Sequence, residues 1–334
     1  MKIRRTAVIL AAALPLAAPA QSPGGGEAPA RSGPWLRPIT VALSAAAFDD
    51  SSGVAAINPR AVATFALPRA VELGLGMGIT RVGSDVGSDA DSTFGASLAV
   101  PWRRTRASFG YALHASGAGA RHELEARAGI APSSAFRAGL AVRRRPFVDV
   151  APALAVDDQL FHEAGPGGAL DPRLASRLDV TELRLATGGS PLRFTYAYGE
   201  ARHLRISDGN HAWTLSAGAG VNVGRRLAIR MPLDVSARWD LYAASFGAVA
   251  PAYYSPSSVV SHTPGLEVRR RLGPLELAGE GGYTFASDGS RGWLAGALAS
   301  LRLGRLSASA HAQVRDDPWY RSRRLWFVVE RALP

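Results

Sequence analysis

"HAWTLSAGAGVNVGRRLAIRMPLDVSARWDLY", residues 211–242, alternates apolar and polar side chains almost without interruption. Trp213, Leu215, Ala217, Ala219, Val221 and Val223 take one parity, and Thr214, Ser216, Gly218, Gly220, Asn222 and Gly224 take the other. After "GRR" the pattern resumes, with Leu233, Val235, Ala237, Trp239 and Leu241 set against Asp234, Ser236, Arg238 and Asp240. A period of two puts successive side chains on opposite faces of a strand, so these strands have one apolar and one polar face. A sandwich in water and a closed barrel in lipid share that pattern. They differ in which face is turned inward.

The same alternation recurs along the chain. Val71, Leu73, Leu75, Met77 and Ile79 oppose Glu72, Gly74, Gly76, Gly78 and Thr80, and Leu306, Ala308, Ala310, Ala312 and Val314 oppose Ser307, Ser309, His311 and Gln313. Ala107, Phe109, Tyr111 and Leu113, and further on Phe194, Tyr196 and Tyr198, extend the series. Strands of about 9 to 13 residues result, longer than the five or six usual in soluble sheets and long enough for a tilted membrane crossing. Short turns such as 67–70, 188–191, 224–226, 272–274 and 303–305 alternate with longer connections at 82–92, 157–176, 243–258, 286–292 and 315–321. Outer-membrane barrels sort their loops in this way, short at one end and long at the other. Strand counting from the two termini agrees except across Ala115 to Pro146. The expectation is an all-β, antiparallel, up-and-down transmembrane barrel of about 16 strands, with 14 as the alternative, because single-chain bacterial barrels carry even numbers.

Composition narrows the class further. The N-terminus "MKIRRTAVILAAALPLAAPAQS" has a basic start, an apolar run and Ala18-Pro19-Ala20. It reads as a secretory signal peptide over 1–20, followed by a flexible lead-in over 21–34 and the barrel over 35–334. The apolar run of about 13 residues falls short of the roughly 20 a spanning helix needs. Cysteine is absent, so no disulfide staples an exported chain, and a lipoprotein anchor is excluded. The formal charge is +11, with Lys2 as the only lysine. No basic helix, aromatic-basic RNA motif or zinc spacing accompanies that charge, so nucleic acid is not an expected partner.

The faces imply an answer to the opening question. Glu182, Arg184, Asp234, Arg238, Asp240, Glu267, Arg269, Glu276, Glu280, Arg302 and His311 share the parity of Gly, Ser and Thr, which suits a watery lumen. The Ala, Leu, Val and aromatic parity suits lipid, with Trp213, Trp239, Tyr283, Phe285, Trp293, Trp326 and Phe327 as candidates for interfacial girdles. Tyr253, Tyr254, Trp319 and Tyr320 fall on the longer loops, where flat rings can stack on sugars. No Ser lies in a G-x-S-x-G turn, no His pair has metal spacing, and "GLGMGIT" (74–80) precedes no helix. Catalytic residues, a metal and a cofactor are therefore not expected, and the chain reads as no enzyme.

The last third, from "YYSPSS" (253–258) to "WFVVERAL", together with "FDDSSGV" (48–54), resembles the C-terminal barrel of cellulose synthase operon protein C and related exopolysaccharide export porins. The resemblance implies a 16-stranded barrel in the outer membrane of a Gram-negative bacterium, through which a nascent polysaccharide leaves the cell. Those exporters carry tetratricopeptide repeats before the barrel, and no 34-residue helical period stands in this sequence, a departure that leaves polysaccharide handling to a separate periplasmic repeat protein or to none. Outer-membrane lipid and the barrel-assembly machinery are expected partners of any such barrel, with Leu333 in place of the usual terminal Phe. "SGVAAINPR" (52–60) is similar to the Asn-Pro segment of long-chain fatty acid transporters, which makes a hydrophobic solute one alternative. A structural or assembly barrel with a plugged lumen is the other.

Overall fold

The computed structural model describes residues 37–50, 55–84, 87–102, 104–133, 135–147, 177–223, 233–248, 257–287, 289–316 and 321–333. Sixteen strands account for most of them. In order they are β1 Arg37–Asp50, β2 Ala55–Ala66, β3 Glu72–Ser84, β4 Gly87–Trp102, β5 Thr105–Ser116, β6 Gly119–Ser133, β7 Phe136–Pro146 and β8 Asp179–Gly189. The second half runs β9 Thr195–Ile206, β10 His211–Asn222, β11 Asp234–Phe246, β12 Val259–Leu272, β13 Leu275–Ala286, β14 Arg291–Leu303, β15 Leu306–Asp316 and β16 Arg321–Ala332.

Each strand pairs antiparallel with its chain neighbours, and β16 returns to β1 from Thr40↔Ala332 to Asp50↔Ser322, closing the sheet. The count is sixteen, and the fourteen-stranded alternative falls. The signal-peptide and lead-in assignments lie outside the described residues. The start of β1 and the end of β16, the termini of the barrel, meet at one rim, where the Leu333 N–H donates to the Ile39 carbonyl at 2.9 Å.

Alternation decides the faces. Met77, Phe94, Phe109, Leu124, Leu185 and Leu266, on six different strands, are each more than half exposed on the outer surface. Water does not tolerate an apolar girdle of that extent on a monomer, whereas hydrocarbon requires one. Trp213, Trp239, Tyr283, Phe285 and Trp293 are also exposed on this side. At the rim holding the termini, Gly273 and Gly304 (φ 60° and 58°) open two-residue hairpins, the left-handed first position that glycine supplies for such turns.

Several expectations need correction. Most of the expected loop at 82–92 is strand: β3 continues to Ser84 and β4 starts at Gly87, with Ser84 opposite Gly87. Gly83, Ser84, Gly87, Ser88, Asp89, Asp91 and Ser92 are strand residues, and Val82 and Asp91 are buried on the inner face. Tight hairpins also join β5 to β6, β9 to β10 and β13 to β14 at the rim opposite the termini, as the β3–β4 hairpin does, so the two ends differ less in loop length than the sequence implied. Between Ala115 and Pro146 lie the end of β5, an unbroken β6 and β7.

Tyr196 and Tyr198 belong to the inner face, not the outer one. Their rings lie over Gly220 and Gly218, the cross-strand partners on β10, where no Cβ would fit. The glycines of the opening stretch are thus seats for two tyrosines. Trp326 also points inward, its ring centroid 3.8 Å from that of His311.

The apolar core sits inside the barrel, near the rim opposite the termini. Phe48 and Val82 join Phe147, Val180, Leu204, Ile206, Ala212, Ala244, Phe246 and Val259 in one buried cluster. β1 and β9 are eight places apart in a ring of sixteen, so this cluster links opposite walls.

The faces have a measurable consequence. Leu215→Arg, outward and near mid-strand, should destabilise the barrel in lipid vesicles by about 2–4 kcal/mol, and Leu277→Arg, near a strand end, by about 1 kcal/mol or less. Ser216→Arg should fold nearly as wild type. Equal losses at Leu215 and Ser216 in denaturant titrations would contradict the assignment.

Candidate functional site: the charged interior

Side chains two residues apart on a strand share a face. The sequence repeatedly places charges at that spacing: Glu123, Glu125 and Arg127 on β6, Arg143 and Arg145 on β7, Glu182 and Arg184 on β8, Glu200 and Arg202 on β9, Arg238 and Asp240 on β11, Glu267 and Arg269 on β12. All of these point inward, and cross-strand register brings most of them into three groups.

The first group joins β4 to β7. His114 is buried, with Nδ1 2.5 Å from Asp91 Oδ2 and Nε2 3.1 Å from Glu123 Oε2, while Arg143 Nη2 reaches the other oxygen of Glu123 at 2.6 Å. The second joins β7 to β9. Glu182, 5% exposed, pairs with Arg145 at 3.0 Å and lies 3.8 Å from Arg202, while Glu200 is held by Arg184 and Arg202.

The third spans β9 to β15. Glu280 receives Arg238 Nη1 at 2.5 Å and Gln313 at 3.1 Å, and His311 Nε2 approaches at 3.5 Å. Arg238 Nε lies 3.2 Å from Asp240 Oδ2, close enough for attraction but not aligned as a hydrogen bond. Asp240 accepts the Tyr198 hydroxyl at 2.7 Å. Such pairs are strongest where each charge is also hydrogen-bonded, as Glu280 is.

Nearer the rim with the termini the pattern loosens. Arg269 bridges Glu267 at 2.8 Å and Glu276 at 3.0 Å, Asp234 accepts from Asn222 at 3.3 Å, and Arg302 is exposed. The eleven sequence-predicted inner residues therefore divide. Glu182, Arg184, Arg238, Asp240, Glu280 and His311 belong to the inner networks, whereas Asp234, Glu267, Arg269, Glu276 and Arg302 line one mouth. Tyr253, Tyr254, Trp319 and Tyr320 lie outside the described residues.

Sequence reasoning missed Asp91, His114, Glu123, Arg143, Arg145, Glu200 and Arg202. The two-residue spacing of like and unlike charges was the available signal for most of them. Among the described residues no group of His, Asp and Glu is arranged to hold a metal ion. The interior is thus two-part chemically, with a charged middle and an apolar cluster toward the far rim.

No protein-family model matches the chain, and no curated protein matches it. Among solved structures, the barrel is similar to one described as a bacterial polysaccharide outer membrane secretin, at 11% identity and a TM-score of 0.67, covering 89% of this chain and 98% of that one. It is also similar to CdiB from Acinetobacter baumannii, at 7% identity and a TM-score of 0.51, covering 88% of this chain and 60% of that one. At these identities the likeness is one of fold.

The division of roles is testable. Glu182→Gln leaves two buried arginines short of charge and should cost about 3–5 kcal/mol of folding stability. Arg302→Gln removes an exposed charge and should change stability by less than about 0.5 kcal/mol. Matching losses in the two variants would contradict this partition.

Proposed function

We propose that the chain is an outer-membrane channel of a Gram-negative bacterium that passes a hydrophilic solute, with exopolysaccharide as the substrate class. The observation that carries this reading is the combination of a closed sixteen-stranded sheet, an apolar exterior and an interior lined by charges of both signs. Barrels of this strand number are wide enough for an aqueous passage. The fold shared with a polysaccharide secretin supports the choice of solute. A hydrophobic solute is disfavoured, because Glu182, Glu200, Arg202 and Arg238 would have to be passed along the wall.

In this reading Asp234, Glu267, Arg269, Glu276 and Arg302 set the potential at one mouth, and the loop aromatics Tyr253, Tyr254, Trp319 and Tyr320 meet sugar rings at the other. The outer belt contacts lipid, the last strand is read by the assembly machinery, and a separate periplasmic repeat protein delivers the polymer. One observation favours the second reading, a plugged structural barrel: the apolar cluster links opposite walls. In a channel, that cluster is a closed gate.

Planar-bilayer recordings separate the two. The wild-type barrel should conduct weakly, and Leu204→Ser with Phe246→Ser should raise its conductance. Neutralising Asp234, Asp240, Glu276 and Glu280 should move the reversal potential toward anions, an effect that fades as salt rises because exposed charges are screened beyond about 8–10 Å. Silence of both wild type and the double serine variant would remove the channel and leave the structural barrel.

A further inference from the structure

Positive charge is left over at the rim that holds the termini. Its carboxylates are largely engaged: Glu72 by Arg106 at 2.5 Å, Glu267 and Glu276 both by Arg269. Asp234 accepts from Asn222, and Glu330 is the remaining acid on the inner face there. Against these stand Arg137, Arg271 and Arg302, all exposed and on the inward parity of β7, β12 and β14. Arg69, Arg104, Arg193 and Arg305 are exposed on the turns of the same rim. None of these seven has an ion pair with a carboxylate among the described residues.

Placement distinguishes between ligands. β7 and β14 are seven positions apart in a ring of sixteen, so Arg137 and Arg302 stand on nearly opposite walls of the mouth. A small anion meets one such charge at a time, since screening cuts their fields off within about 8–10 Å. A chain bearing repeated negative groups meets several, and a low-dielectric rim of one sign concentrates it. Lipid headgroups lie outside the barrel, whereas three of these arginines face in.

We propose that this mouth binds a polyanionic chain, a polymer carrying carboxylate or phosphate groups at intervals, through Arg137, Arg271, Arg302 and Arg305. The proposal rests on the channel reading only for its consequence, passage of that chain. It narrows the exopolysaccharide class to acidic polymers.

The test uses the purified full chain in uncharged detergent and a fluorescein-labelled oligogalacturonate, read by anisotropy, with a neutral maltodextrin of equal length as control. The oligogalacturonate should bind and weaken with salt, and the maltodextrin should not bind. A variant with R137Q, R271Q, R302Q and R305Q should bind about tenfold more weakly, the combined effect of four exposed contacts. The single variants R137Q and R302Q, which touch no folding contact, should each weaken binding about twofold. Unchanged binding in the quadruple variant overturns the proposal, as does equal competition by monomeric galacturonate at matched carboxylate. Complete displacement by phosphatidylglycerol vesicles assigns the rim to lipid and also overturns it. Conductance is recorded in parallel: arginine-dependent binding without current removes the channel reading alone, and current with arginine-independent binding removes this proposal alone.

Discussion

Everything in this barrel depends on the seam between its first and last strands. Hydrocarbon offers no partner to a backbone N–H or C=O, and each unpaired group costs several kcal/mol there. A sixteen-stranded open sheet would expose two such edges along their whole length. Pairing of β1 with β16, from Thr40↔Ala332 to Asp50↔Ser322, removes both. Once closure is imposed, the face of every other side chain follows from its parity. The same closure creates an interior that water and charge can occupy.

That interior is cross-linked as well as polar. Charges spaced by two along a strand meet complementary charges on the next strand, so the wall is knit around Glu182, Glu123 and Glu280. Burial makes such pairs costly to break and gives little stability over an apolar alternative. Their persistence in the wall is consistent with a lumen that holds water. The apolar cluster around Leu204, Ile206 and Phe246 has the opposite character and sits at the far end. A charged middle, a looser charged mouth and an apolar cluster thus divide the length of one barrel.

Much of the architecture was legible in the sequence, and the failures share physical causes. β10 and β11 are readable because their apolar and polar parities are nearly pure. In "RRLWFVVERA" both parities are apolar from Leu325 to Val329, so the period of two vanishes. Only the register His311↔Trp326 shows that Trp326 turns inward. The stretch 82–92 resembles a loop in sequence because Gly, Ser and Asp serve equally as turn residues and as the inner wall of a barrel. Tyr196 and Tyr198 looked lipid-facing as aromatics, and the glycines that seat them are on the next strand. Partners of that kind come from register, which local composition does not carry.

The central claim is that parity assigns each side chain of a strand to water or to hydrocarbon. Because the chain contains no cysteine, single cysteines introduced one at a time from Ser307 to Gln313 on β15 can be labelled without background. With the protein folded in lipid vesicles, a membrane-impermeant maleimide should react at the odd-numbered, inward positions Ser307, Ser309 and Gln313 and spare Ala308, Ala310 and Ala312. Uniform labelling along the strand, or the inverse alternation, would contradict the account.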